Sequence, residues 1–243
     1  MCFSPEASFV VGSVLGIVGI VTIRKALRCD RTMLIFALFP MIFSFHQFLE
    51  GAVWLSVNGA LDGKIFRYLY IYIAVLLWPV MTPLASVVAE TDSLWRRVRY
   101  VLLAAGLALA SYLAFKLATA TSIEVKVVGH SLSYIIGYDP KLPVFTDYAY
   151  AAITLLSLLT SRNRVINALG VLVGISGLFN ALYSPRYERI TAGSSAPVQQ
   201  AWAMFLTPFA LAMLRACERR RAMTPGLTRM RLASSASVTS RTQ

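Results

Sequence analysis

Charge is what this chain has least of. Asp, Glu, Lys and Arg make up 14% of its 243 residues while 57% are hydrophobic, whereas a soluble domain carries about 25% charged residues. The shortfall argues against a water-soluble enzyme, and several apolar runs of roughly 20 residues place the chain in a bilayer as one helical bundle. Histidine is limited to His46 and His130, and cysteine to Cys2, Cys29 and Cys217. The cysteines have no CxxC spacing, so neither a zinc ribbon nor a redox pair is indicated. P-loop and GxSxG signatures are missing too, and with them the common nucleotide-dependent and acyl-transfer chemistries. Residues 1–8 hold no Lys or Arg. The chain's start therefore does not read as a secretory signal, which needs a basic stretch ahead of its apolar core.

What charge there is carries a net +12, and its placement excludes nucleic acid as a partner. The basic residues sit at the ends of apolar runs and in the tail, not on a folded basic domain. Seven apolar segments are legible, at 8–23, 32–56, 68–89, 100–120, 145–161, 165–184 and 198–216. The loops after the first, third and fifth segments and the region from Arg215 onward hold sixteen Lys and Arg, against six on the opposite side. By the positive-inside rule this predicts an all-α protein of the cell membrane with seven transmembrane helices, the amino terminus outside and the carboxy terminus cytoplasmic. Residues 1–216 form the transmembrane domain in this reading, and 217–243, rich in Arg, Ser and Thr, form a disordered cytoplasmic tail.

Between the fourth and fifth segments, Ile123, Val125 and Val127 alternate with Glu124 and Lys126, the period of a strand. Gly129-His130 then reads as a two-residue turn into Ser131–Ile136, giving a small outer β-hairpin over 123–136. Gly12, Gly16 and Gly19 in the first segment, and Gly170, Gly174 and Gly177 in the sixth, have the spacing of close helix packing. Pro40, Pro79, Pro83 and Pro208 mark expected bends.

The polar stretch that stands out is Phe45-His46-Gln47-Phe48-Leu49-Glu50-Gly51-Ala52-Val53-Trp54. On a helix His46, Glu50 and Trp54 share a face, with Gln47 and Gly51 beside them. From Arg31 at the cytoplasmic border to Glu50 is about 28 Å at ~1.5 Å per residue, close to the ~30 Å of hydrocarbon. Glu50 thus lies near the outer boundary, with His46 one turn deeper. The same topology brings Cys2, His130, Tyr134, Asn180, Gln199, Gln200 and Trp202 towards that side. Gln47, Glu50, Trp54, Tyr134, Asn180 and Gln200 are the candidate ligand-binding residues. Cys2, His46 and His130 are candidate ligands for a metal such as zinc, with Glu50 as general base.

Each has an ordinary alternative. Trp54 and Trp202 fit an interfacial aromatic belt, His46 a hydrogen bond to a neighbouring helix, and His130 a surface turn. Lys116, inside the fourth segment, can snorkel. Glu50 resists such a reading, because a carboxylate facing lipid is costly.

The opening Met1-Cys2-Phe3-Ser4-Pro5-Glu6-Ala7-Ser8-Phe9 resembles the start of a widespread bacterial membrane-protein family of unknown function. So do Gln47-Phe48-Leu49-Glu50-Gly51-Ala52-Val53-Trp54 and His130-Ser131-Leu132-Ser133-Tyr134. The resemblance runs to about residue 220 and implies a seven-span fold with a shared outer-face site, without implying a reaction. Three functional classes follow as expectations. The first is a receptor or sensor binding a small molecule or lipid. The second is a metal-dependent hydrolase acting on lipid or amide bonds, and the third a transporter. Membrane lipids are partners in all three.

Overall fold

The structure is a computed structural model that describes residues 4–128 and 131–183. The first helix, α1 (Pro5–Cys29), starts where Ser4 caps it: the Ser4 hydroxyl accepts from the Ala7 N–H at 3.3 Å, and Pro5 occupies the first turn, where a missing N–H costs nothing. Its buried residues are Ser8, Gly12, Leu15, Gly19, Thr22 and Ala26, a single stripe at helical period. That stripe lies against α2 (Leu34–Val57), which follows a short 3₁₀ turn at Arg31–Met33. A Cβ on Gly19 would come within 2.9 Å of the Met41 nitrogen, and one on Gly12 within 3.3 Å of the Ser44 carbonyl oxygen. The close approach lets Ser44 Oγ donate to the Gly12 carbonyl at 2.7 Å and Thr22 Oγ1 to the Ala37 carbonyl at 3.1 Å. In the sixth segment Gly170 packs on Leu158, whereas a Cβ added at Gly177 would meet no other element among the described residues.

The third apolar run is three pieces end to end: α3 (Lys64–Tyr72), a π-helical segment (Ile73–Leu77) and α4 (Trp78–Ala89). Pro79 supplies no N–H to the preceding turn, and the ladder widens there instead of breaking. Tyr150 steps in from α6 (Phe145–Leu159), its hydroxyl donating to the Ala74 carbonyl at 2.8 Å. Pro83 likewise leaves the Pro79 carbonyl without its usual donor four residues on. Gly106 of α5 (Ser93–Ala118) lies against that oxygen, so that an added Cβ would overlap it. Because the obstruction is backbone, Gly106→Ala is expected to lower stability by about 1–3 kcal/mol. A fall in Tm of the detergent-solubilised protein measures it; an unchanged Tm would show that α4 and α5 can separate without loss.

The hairpin forms at the expected place. β1 (Ile123–Val128) pairs antiparallel with β2 (Ser131–Ile136), with Ile123 opposite Ile136 and Val125 opposite Tyr134; the turn residues 129–130 lie outside the described residues. Leu132, Tyr134 and Ile136, two apart on one face, are all buried. They join Leu49, Val53, Trp54, Tyr70, Ile71, Leu113 and Leu117 in one apolar cluster. A second cluster, built on Phe36, Phe39, Phe43, Trp78, Leu158, Ile166 and Leu169, fills the other end of the bundle. The described residues end with α6 and α7 (Arg164–Tyr183).

Among the described residues, four helical stretches are long and apolar enough to cross a membrane: Pro5–Cys29, Arg31–Val57, Lys64–Ala89 and Ser93–Ala118. Their outward faces are oily, with Val10, Ile17, Val101 and Phe115 all more than 60% exposed, as a lipid-facing surface requires. α6 and α7 occupy the fifth and sixth apolar segments, and α6 has 15 residues, or about 22 Å of rise. The seventh segment, 198–216, and the tail, 217–243, lie outside the described residues. Two expectations need correcting. Trp54 is no belt residue: it is 6% exposed within the hairpin-end cluster. Lys116 does not snorkel either; it is buried, and its Nζ donates to the Pro140 carbonyl at 2.6 Å, tying α5 to the loop after the hairpin.

Candidate functional site

The polar side chains of this α2 stretch are internal, with His46 and Gln47 0% and Glu50 1% exposed, while Phe45 and Phe48 face outward. His46 turns towards the third span. Its Nε2 lies 3.0 Å from the Tyr70 carbonyl oxygen, which can only accept, so Nε2 carries the proton and in the neutral ring Nδ1 keeps the lone pair. Nδ1 is buried and has no hydrogen-bond partner among the described residues. The imidazole stacks on the Tyr70 ring at 4.1 Å and 19°, and Tyr70 stacks in turn on Tyr134 at 4.5 Å and 10°. Three rings from α2, α3 and β2 thus form one column immediately before the π-helical segment, a feature frequent at functional sites. Gln47 faces α1 instead, next to Gly12, and its Nε2 donates to Glu50 Oε2 at 3.0 Å.

The column has a roof. Tyr134 is 0% exposed because the hairpin inserts it between the ends of the helices. Beyond the hairpin, burial pushes the Tyr138 phenol up to about 12, with the Asp147 carboxylate adding to the shift. Tyr138 therefore remains a neutral phenol at physiological pH.

Of the residues expected at the site, His46 and Tyr134 are joined through Tyr70, Gln47 and Glu50 are paired directly, and Trp54 lies in the same cluster as Tyr134. Asn180 is in the last turns of α7. Cys2, His130 and Gln200 lie outside the described residues. Among the described residues no three His, Cys, Asp or Glu side chains gather as a metal site. An ion at His46 would have to bind Nδ1, with the Tyr70 carbonyl orienting the ring from behind.

Two features escape the sequence reading. Tyr70 reads as one aromatic among several in Tyr68-Leu69-Tyr70-Ile71-Tyr72; its place three residues before the π-helical segment becomes visible only once the helices are paired. The second lies at the opposite end of the bundle. Arg99, counted among topological charges, is 1% exposed and forms an ion pair with Glu90 at 2.7 Å. Its Nη1 donates to the Ser157 carbonyl at 3.2 Å, and Nη2, the nitrogen that meets Glu90, also donates to the Thr160 carbonyl at 3.0 Å. Glu90 Oε1 accepts from the Thr91 and Asp92 N–H groups at 3.0 and 3.1 Å. Asp92 caps α5, and the Trp95 N–H that it accepts holds its carboxyl below the usual range. A glutamate closing an apolar run, nine residues before an arginine across a tight turn, was the available signal.

The chain belongs to a family of unknown function, DUF6629, whose family model matches residues 1–223. Neither the curated proteins nor the solved structures contain a match.

Proposed function

We propose that this chain is a seven-span protein of the cell membrane, amino terminus outside and carboxy terminus cytoplasmic. It binds a small molecule or lipid at an outward-facing polar site, as a receptor or sensor. The observation that carries this reading is the complete burial of His46, Gln47 and Glu50 within a membrane-length helix, with His46 stacked through Tyr70 under a tyrosine supplied by a separate hairpin. Ionisable side chains at such depth are costly and mark functional positions. An aromatic column beside polar groups suits a partly apolar ligand, with the polar groups fixing its orientation. In this reading Asn180 and Gln200 complete the polar lining.

The test is thermal unfolding of the purified protein across a lipid and metabolite library. At a concentration about a hundredfold above Kd a true ligand stabilises by about 2.7 kcal/mol, and Glu50→Gln is expected to abolish the shift. A library that moves Tm nowhere ends the proposal.

The available lone pair on His46 Nδ1 favours one second reading, a zinc-dependent hydrolase with Cys2 and His130 as further ligands and Glu50 as base. Metal analysis separates the two. Stoichiometric zinc that falls on Cys2→Ala supports the hydrolase, and its absence leaves the receptor.

A further inference from the structure

Arg67 differs from the other buried or half-buried cations of the bundle. Arg99 has Glu90 and two carbonyls, and Lys116 has the Pro140 carbonyl. The side chain of Arg67, half-buried in α3, makes one hydrogen bond among the described residues, from an η nitrogen to Ser56 Oγ at 3.1 Å. Its Nε is buried and has no partner among the described residues. Carboxylates take up other cations, Glu90 pairing with Arg99, Glu124 with Lys126 and Asp92 with Arg162, and none of these pairs reaches Arg67. Ser56 is itself held in place, since Gly63 packs so closely that a Cβ there would overlap the Ser56 side chain.

The position is telling. From Arg67 to Glu90 at the far end of the same span is about 34 Å at ~1.5 Å per residue, slightly more than the ~30 Å hydrocarbon layer. With Glu90 at one boundary, Arg67 sits at headgroup depth on the hairpin side. Ile65, Leu69 and Tyr72 form an exposed apolar stripe on α3, and Lys64, exposed one turn before Arg67, shares a different face with it. A cationic edge beside a lipid-facing stripe at the end of a span places the cation at the headgroups. A guanidinium presents paired N–H donors whose geometry matches phosphate oxygens.

We propose that Arg67, assisted by Lys64, binds the phosphate of an anionic lipid headgroup at the hairpin end of the bundle. The site is separate from the His46–Tyr70–Tyr134 column and does not depend on what that column binds.

The experiment measures Tm of the full chain in detergent with dioleoylphosphatidylglycerol, with dioleoylphosphatidylcholine, or with inorganic phosphate alone. Phosphatidylglycerol at a hundredfold excess over Kd is expected to raise Tm by about 5–10 °C, and phosphatidylcholine by less. Arg67→Gln removes the difference, and Arg67→Lys keeps part of it. Arg97→Gln, on an exposed side chain, leaves it intact. An Arg67-dependent rise with inorganic phosphate also supports the anion site and identifies its source as the free ion. A full phosphatidylglycerol response in Arg67→Gln, or no response of the unaltered protein to either anion, overturns the proposal. Should Arg67→Gln fail to fold, Lys64→Gln carries the test, with an expected loss of about fivefold in phosphatidylglycerol affinity; an unchanged titration there overturns it as well.

Discussion

Replacing Arg99 by alanine is expected to cost about 3–5 kcal/mol, the loss typical when one member of a buried ion pair is removed. The cost arises from what is left behind. Glu90 would remain a buried carboxylate without its cation, and the Ser157 and Thr160 carbonyls would lose their donors. Ser86 Oγ also donates to the Ser157 carbonyl, at 2.7 Å, so one acceptor keeps a partner. Arg96, whose Nε and an η nitrogen donate to the Glu90 backbone carbonyl at 3.1 and 2.6 Å, cannot reach round to replace the pair. Arg97→Ala, on an exposed side chain two residues before Arg99, should stay within about 0.5 kcal/mol. A double-mutant cycle with Glu90→Gln measures the coupling. If Arg99→Ala unfolds with the stability of the parent, Arg99 holds nothing together.

Tyr134→Ala should rank next. The side chain is 0% exposed and stacked on Tyr70, and truncating a buried aromatic of this size costs about 3–5 kcal/mol. The damage should be local, because β1 and β2 form a two-stranded sheet, and such a hairpin is marginal without a surface to lie on. Amide exchange is the measurement: protection of residues 123–136 is expected to collapse, while α1 and α2 keep theirs. Tyr134→Phe retains the stack and should preserve protection. Undiminished protection in the alanine variant would mean that Leu132 and Ile136 alone seat the hairpin.

The elements were legible wherever one local signal decided them. Hydropathy marked the helices, alternation at Ile123–Val127 marked β1, and the α1 glycines announced the seam that α2 fills. Boundaries erred where a basic cluster looked like a stop. Arg24, Lys25 and Arg28 lie on α1 itself, and α5 begins at Ser93, ahead of Arg96, Arg97 and Arg99. A helix tolerates such charges at its ends, above all cations at the carboxy terminus, where the exposed carbonyls attract them. Within the candidate site, the burial of Glu50 followed from the cost of a carboxylate in lipid. The stacking of His46 on Tyr70 did not follow, because it depends on two helices meeting and on a ladder shifted ahead of Pro79. Trp54 was misread for the same reason: an outer-end tryptophan looks alike in sequence whether lipid or a hairpin covers it.

The shortness of α6 bears on how the protein is made. A helix of 15 residues is a poor candidate to partition into lipid unaided, and its last carbonyls are taken by a guanidinium anchored on α5. During biogenesis the hairpin of α4 and α5 must already stand when α6 leaves the insertion machinery, so that a docking partner awaits it. A nascent chain halted after Ala118 would hold Arg99 with its carboxylate in place but the receiving carbonyls not yet synthesised.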